Sequence, residues 1–386
     1  LQFLYAANAL PCGERRLGEQ ATRGPKVDYE RFILEGINKC EPVSEFQRWR
    51  RHPSAKAPDV LSTEWVLLTA DFCSFLTHGN LVPVNFWRVC LLCDVWERIQ
   101  AQQVQVGRIQ PLQLEVRREP KALLEKIVSC FRDLGEDELR RPLRVTFEGE
   151  EAVGPGVTKE FFQVALRSFL DGSGAEEFGE GEGEDGKQAS PTLFRCSGAQ
   201  RTYWFDDESG SREDLAAAFR ACGILLGQAV LNNVLVPSIF PRVLYERLLR
   251  DLGSPCARTL WIEDVASISD EIAGSLQLVL DYRGEDIDEV YGEDTMGWSR
   301  TGVIEESASL SQSNKAGFVQ AYVDWFLGER VKTQLSELSG GFCAILGESC
   351  LLRSMVDSVQ LEKIVTGGTV PVDVEAIERG ASLEGG

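Results

Sequence analysis

The run LAAAFRACGILLGQAVLNNVLV, residues 215–236, is apolar or small on every side. With no wet face it predicts a buried helix around which the rest of the chain must pack. Its length nearly suffices to cross a bilayer. Arg220, Gln228, Asn232 and Asn233 argue against a span, because polar groups are costly in lipid. Gly223 and Gly227 lie four apart and share a face that another element can approach closely.

Toward the N-terminus, Tyr29, Phe32, Ile33 and Ile37 recur at helical spacing, and Phe46 and Trp49 mark a second short helix. Two longer helices are expected over 63–76 and 84–103, with Gly79-Asn80 turning between them. Residues 112–118 read as a strand or an extended linker. Over 121–134 an amphipathic helix places Leu123, Leu124, Ile127, Val128 and Phe131 on one side. Leu143, Val145 and Phe147 then alternate with polar residues, the period of a half-buried strand. The turn at Gly154-Pro155-Gly156 leads into a helix carrying Phe161, Phe162 and Phe169.

Residues 171–190, rich in Gly, Glu and Asp, predict a mobile surface loop. A hairpin is expected from strands at 192–196 and 201–205. Beyond the central helix, Pro241 opens another, and short helices are expected over 261–265 and 269–282. Val290-Tyr291 and Trp298 carry weak strand signals. One long helix is expected over 314–338, stopped by Gly340-Gly341, followed by short helices near 342–345 and 359–365 and a turn at Gly367-Gly368.

Composition narrows the partners. At 386 residues and 43% hydrophobic content the chain supports a large core and two domains. A net charge of −20 opposes nucleic acid and anionic membrane, which share its sign, and points to a protein partner. Eleven cysteines in mostly apolar runs, without a disulfide framework, imply thiols in a reducing compartment, cytoplasmic or nuclear. The start at Leu1, apolar and without a basic leader, reads as the front edge of a fragment.

Candidate chemistry is sparse. Cys90 and Cys93 form a CxxC, but Leu91 and Leu92 lie between them and no second pair or nearby His completes a zinc site. The loop at Gly154 and Gly156 sits where a phosphate is bound at a helix start, yet Glu148, Glu150 and Glu151 crowd it, and Lys159 alone does not offset them. His52 and His78 lie in polar loops without a nucleophile context. Acidic pairs such as Asp206/Asp207 and Glu305/Glu306 read as solvated surface. No cofactor and no metal are expected.

Several motifs nonetheless resemble one family. LRVTFEGEEAVGPGVTKEFFQ (143–163) looks like the opening of the HECT domain of ubiquitin ligases, a strand, an acidic glycine loop and a basic-Glu-Phe-Phe helix. FRACGILLGQAVLNNVLVPSIFPRVLYERLL (219–249) is similar to that family's central helix and the helix after it. IEDVASISDEIAGSLQLVLDY (262–282) resembles the next helical pair, and FVQAYVDWFLGERVKTQLSELSGGFCAIL (318–346) the later long helix. VDYERFILEGINKCEPVSEFQRW (27–49) resembles the helical run that precedes the domain in some members. Two departures stand out: the glycine loop is a residue short, and the acidic insertion over 171–187 is atypical.

The resemblance implies a mainly α fold with small β hairpins (α+β), in a bilobal architecture with only the large N-terminal lobe complete. Residues 1–115 would be an upstream helical segment, 116–368 the large lobe, and 369–386 the hinge and the start of a truncated small lobe. It implies a ubiquitin-protein ligase that accepts ubiquitin from a conjugating enzyme on a Cys and passes it to a substrate Lys. The family's Thr-Cys-Phe-like motif is missing, so the thioester Cys is expected beyond the end of this sequence, which then docks the conjugating enzyme without relaying ubiquitin. The other reading is a non-catalytic adaptor or pseudo-ligase. By resemblance, Leu276, Val279, Leu280 and Tyr282, with Val290 and Tyr291, are the candidates for the conjugating-enzyme groove, and their apolar character is equally that of core.

Overall fold

The computed structural model describes residues 40–51, 76, 82–103, 110–170, 193–197, 202–206, 209, 213–292 and 309–367. The expectations for 29–37, 63–75, Gly79-Asn80, the loop over 171–190, His52, His78, Asp207, Trp298, Glu305/Glu306 and the stretch after Gly367 lie outside these residues.

Helices α1 (Pro42–Arg51) and α2 (Val84–Gln103) come first, followed by β1 (Leu112–Val116). Helix α3 (Pro120–Asp133) starts on Pro120 and is capped by Glu119, whose carboxylate accepts from the Lys121 and Ala122 amides. After the short α4 (Glu136–Leu139) the chain returns as β2 (Leu143–Phe147), parallel to β1 with Leu112 opposite Leu143 and Val116 opposite Phe147. Helix α5 (Pro155–Leu170) begins inside the Gly-Pro-Gly motif and buries Phe161, Phe162 and Phe169. Strands β3 (Phe194–Ser197) and β4 (Thr202–Phe205) form the expected antiparallel hairpin. Its Phe194 gathers the rings of Phe205, Phe219 and Phe240 at centroid distances of 5.1 to 5.6 Å.

Helix α6 (Glu213–Leu231) is the central helix. It stops at Leu231, earlier than the apolar run suggests, and Asn233 turns the chain at φ 56°. Its polar residues hold the strand layer. Gln228, buried, donates to the carbonyls of Leu139 and Arg141, and Asn232 Oδ1 accepts from the Leu143 amide at 2.9 Å. The charge-neutral polar groups that spoil a membrane span are thereby satisfied inside the protein. Among the described residues no helix is long and apolar enough to cross a membrane.

The remainder is helical: α7 (Arg242–Asp251), α8 (Ile262–Ala266), α9 (Asp270–Asp281), α10 (Ile287–Tyr291), α11 (Lys315–Leu327), α12 (Lys332–Leu346), α13 (Cys350–Ser354) and α14 (Ser358–Thr366). Two expectations are corrected. The long helix breaks at Gly328, which leaves helical geometry at φ −135° before a 3-10 turn over Glu329–Val331. Gly340 and Gly341, expected to stop it, lie inside α12. Gly341 is needed there because α12 lies against α6 backbone to backbone: a Cβ on Gly341 would overlap the Arg220 carbonyl, and one on Gly223 the Leu338 carbonyl. A Cβ on Gly227 would come within 2.8 Å of Ile345 Cβ. Val290 and Tyr291, expected as strand, belong to α10, which Ile287 anchors in the core.

One apolar cluster runs from Phe46 to Val365, so the upstream helices share a core with the rest. At roughly 25 cal/mol per Å² of apolar surface removed from water, this cluster dominates stability.

Candidate functional site

Seven of the nine described cysteines do not resemble nucleophiles. A reactive thiol needs its pKa lowered by nearby positive charge, whereas burial pushes Cys90, Cys93, Cys130, Cys222 and Cys343 up. Burial also raises Cys256 to about 11, and burial with the Asp94 carboxylate raises Cys350 to about 11. Cys90 and Cys93 are packing residues, and among the described residues no cluster of three ligating side chains could hold a metal ion.

At the glycine loop the expectation that Lys159 stands alone against the carboxylates is corrected. Arg117 and Arg118, at the exit of β1, reach Glu148 and Glu150 at 2.6 Å each, and Arg118 also reaches Glu160 at 2.6 Å. The Arg118 guanidinium lies 3.9 Å from the Phe147 ring centre. With Glu148 and Glu150 already paired, the loop is a structural turn.

The candidate docking face is built from α8 through α11. Ser269 caps α9 by accepting from the Ile272 amide at 3.3 Å. Ala273, Leu276 and Val279 then turn into the core. The connection after α9 is tied to the start of α11, where Lys315 Nζ donates to the Tyr282 carbonyl and Gln312 to the Gly284 carbonyl, both at 2.6 Å. Asp288 accepts from the Leu310 amide at 2.7 Å. Tyr282 and Tyr291 meet edge to face at 5.3 Å, and the Tyr282 hydroxyl donates to Asp286 at 2.6 Å, which raises its pKa by favouring the protonated phenol.

These contacts sort the six expected residues. Leu276 and Val279 are 0% exposed, so they are core and offer nothing to a partner, and their assignment to the groove is corrected. Leu280, Tyr282 and Tyr291 are half-buried against the core. Val290 is 37% exposed. The residue missed is Leu278, 59% exposed on the stripe that also carries Glu271, Gly274 and Asp281. Its signal was present in the helical phase: positions 273, 276 and 279–280 point inward, and Leu278 is the large apolar residue on the opposite face.

Around Leu278 and Val290 the border is acidic, with Glu271, Asp281, Glu285, Asp286, Asp288 and Glu289 exposed and Arg283 the exposed cation in this stretch. The first turns of α9 and α10 favour carboxylates through the helix dipole. Asp281, in the last turn of α9, gains nothing from it.

Comparison with known proteins places this arrangement. Residues 185–386, just over half of the chain, match the family model described as HECT-domain (ubiquitin-transferase). The probable E3 ubiquitin-protein ligase HERC4 of Homo sapiens is 28% identical over 282 residues, 70% of this chain and 24% of that protein. HERC3 of Homo sapiens, also a probable E3 ubiquitin-protein ligase, is 30% identical over 224 residues, 55% of this chain and 19% of its own length. HECTD2 of Homo sapiens, named likewise, is 24% identical over 378 residues, 94% of this chain and 45% of that protein. The chain thus spans about a quarter of the first of these relatives and less than half of each. Central helix, docking face and final helices all fall within the matched residues, and the chain belongs to the HECT-domain family.

Proposed function

We propose that this chain is part of a HECT-type ubiquitin-protein ligase and that the face formed by α9 and α10 docks a ubiquitin-conjugating enzyme. The carrying observation is Leu278, a large apolar side chain 59% exposed one helical turn before Tyr282, which pairs with Tyr291, while Val290 on α10 is 37% exposed. Exposed apolar residues with a polar border suit a transient protein interface, and the acidic border complements a carrier with lysines or arginines around its apolar contact.

In the whole protein, a cysteine thiolate attacks the thioester carbonyl of the charged carrier and the carrier's thiol leaves. A substrate lysine amine then attacks the new thioester, the isopeptide bond forms, and the ligase thiol is released. Burial pushes the Cys343 and Cys350 thiols up, which speaks against that role for either of them. The nine described cysteines are free thiols, which supports a reducing compartment, cytoplasmic or nuclear.

Calorimetric titration of this chain with a conjugating enzyme tests the docking. Leu278→Asp is expected to weaken binding at least tenfold, about 1.4 kcal/mol, with an unchanged unfolding midpoint. Unchanged affinity sinks the assignment, and joint loss of binding and folding returns Leu278 to the core.

A further inference from the structure

Asp94, in α2, is 0% exposed, yet it carries a full complement of donors. Its Oδ2 accepts from Ser349 Oγ at 2.7 Å and from the Leu351 amide at 3.2 Å. Its Oδ1 accepts from Cys350 Sγ at 3.1 Å, Arg98 Nε at 3.3 Å and Arg50 Nη1 at 3.3 Å. One carboxylate therefore joins α1, α2 and the start of α13, across a separation of up to 257 residues. Ser349 is itself the cap of α13, accepting from the Leu352 amide at 3.2 Å. Burying a carboxylate costs several kcal/mol unless its lone pairs are met, and here they are over-met.

What α13 leads to gives the contact its meaning. Helix α14 packs on α2 on one side and on α7 on the other, where Arg242 reaches Glu362 at 2.7 Å. The Val236 amide donates to the Val365 carbonyl at 3.1 Å. The helix then ends on Gly367 at φ 90°, against the Leu235 side chain. The family match includes α13 and α14 and continues to residue 386.

We propose that the helices upstream of β1 brace α13 and α14 as far as Gly367, with Asp94 as the positioning residue. The inference is independent of the docking face. Asp94 holds the start of α13, α2 lies along α14, and together they fix the last turn before Gly367. An upstream segment that looks separable by sequence is then part of what orders α13 and α14.

Hydrogen exchange on the whole chain tests it. Asp94→Asn keeps the shape but turns an amide donor toward donors, and amides over 351–366 are expected to exchange at least tenfold faster, while those over 270–291 and conjugating-enzyme affinity stay unchanged. Ser349→Ala should open the same amides to a lesser degree, and the two substitutions together should fall short of additivity. If Asp94→Asn does not fold, Ser349→Ala alone decides by whether opening concentrates in 351–366. Faster exchange spread evenly over the chain, or confined to α2, would overturn the brace.

Discussion

Asp94 and Asp281 both sit on helices of one lobe, and their surroundings differ in every respect that matters to a charge. Asp94 is fully buried and receives five donors from three elements. Asp281 is exposed, accepts from Gln277 on its own helix at 2.9 Å, and stands beside exposed Leu278. In the first place desolvation makes the carboxylate depend on its partners, so the charge is structural. In the second, water solvates the charge and a neighbour contributes little to folding, which leaves it available to a partner protein. The proposed docking assigns stability and recognition to different helices, and substitutions should separate them.

The largest expected effect is on the buried side. Asp94→Ala leaves Arg50 to Glu97 and Arg98 to Glu348 but removes the acceptor of a buried serine hydroxyl and a buried helix-start amide, and should destabilise the chain by about 3–4 kcal/mol in denaturant unfolding. A loss below about 1 kcal/mol would mean that the network relaxes into water and the contrast is false. Gly341→Ala comes next, at the upper end of about 1–3 kcal/mol, because its Cβ meets the Arg220 carbonyl rather than a side chain that can turn away.

On the docking face, Val290→Asp should move stability by no more than about 0.5 kcal/mol while weakening conjugating-enzyme binding. The smallest effect is at Cys350. With its thiol at about 11, roughly a thousandth is thiolate at pH 8, and alkylation should rise about tenfold per pH unit up to that value. Asp94→Asn removes a negative neighbour, lowers the thiol pKa, and should speed alkylation several-fold at fixed pH.

Much of this lobe is legible in sequence where a single period decides. The spacing of Leu143, Val145 and Phe147 gives β2, and the apolar run from Leu215 gives α6, both through local patterns that tertiary contacts reinforce. What local patterns leave open is what a glycine does. Gly328 breaks a helix and Gly341 does not, and at Gly341 the Arg220 carbonyl of the neighbouring helix stands where a side chain would begin. The pairing of β1 with β2 and the meeting of Asp94 with Ser349 depend on partners distant in the chain. At the proposed docking face the resemblance pointed to Leu276 and Val279, which are buried, and passed over Leu278, which is exposed, because a motif match does not say which side of a helix meets the core.

Site-specific photo-crosslinking asks most directly whether α9 and α10 are where the carrier lands. A benzophenone side chain replacing Leu278 should capture a conjugating enzyme in a single adduct, and the same probe replacing Val89, 36% exposed on the braced α2, should capture none. An adduct from position 89 with none from 278 would contradict the assignment of docking to this face.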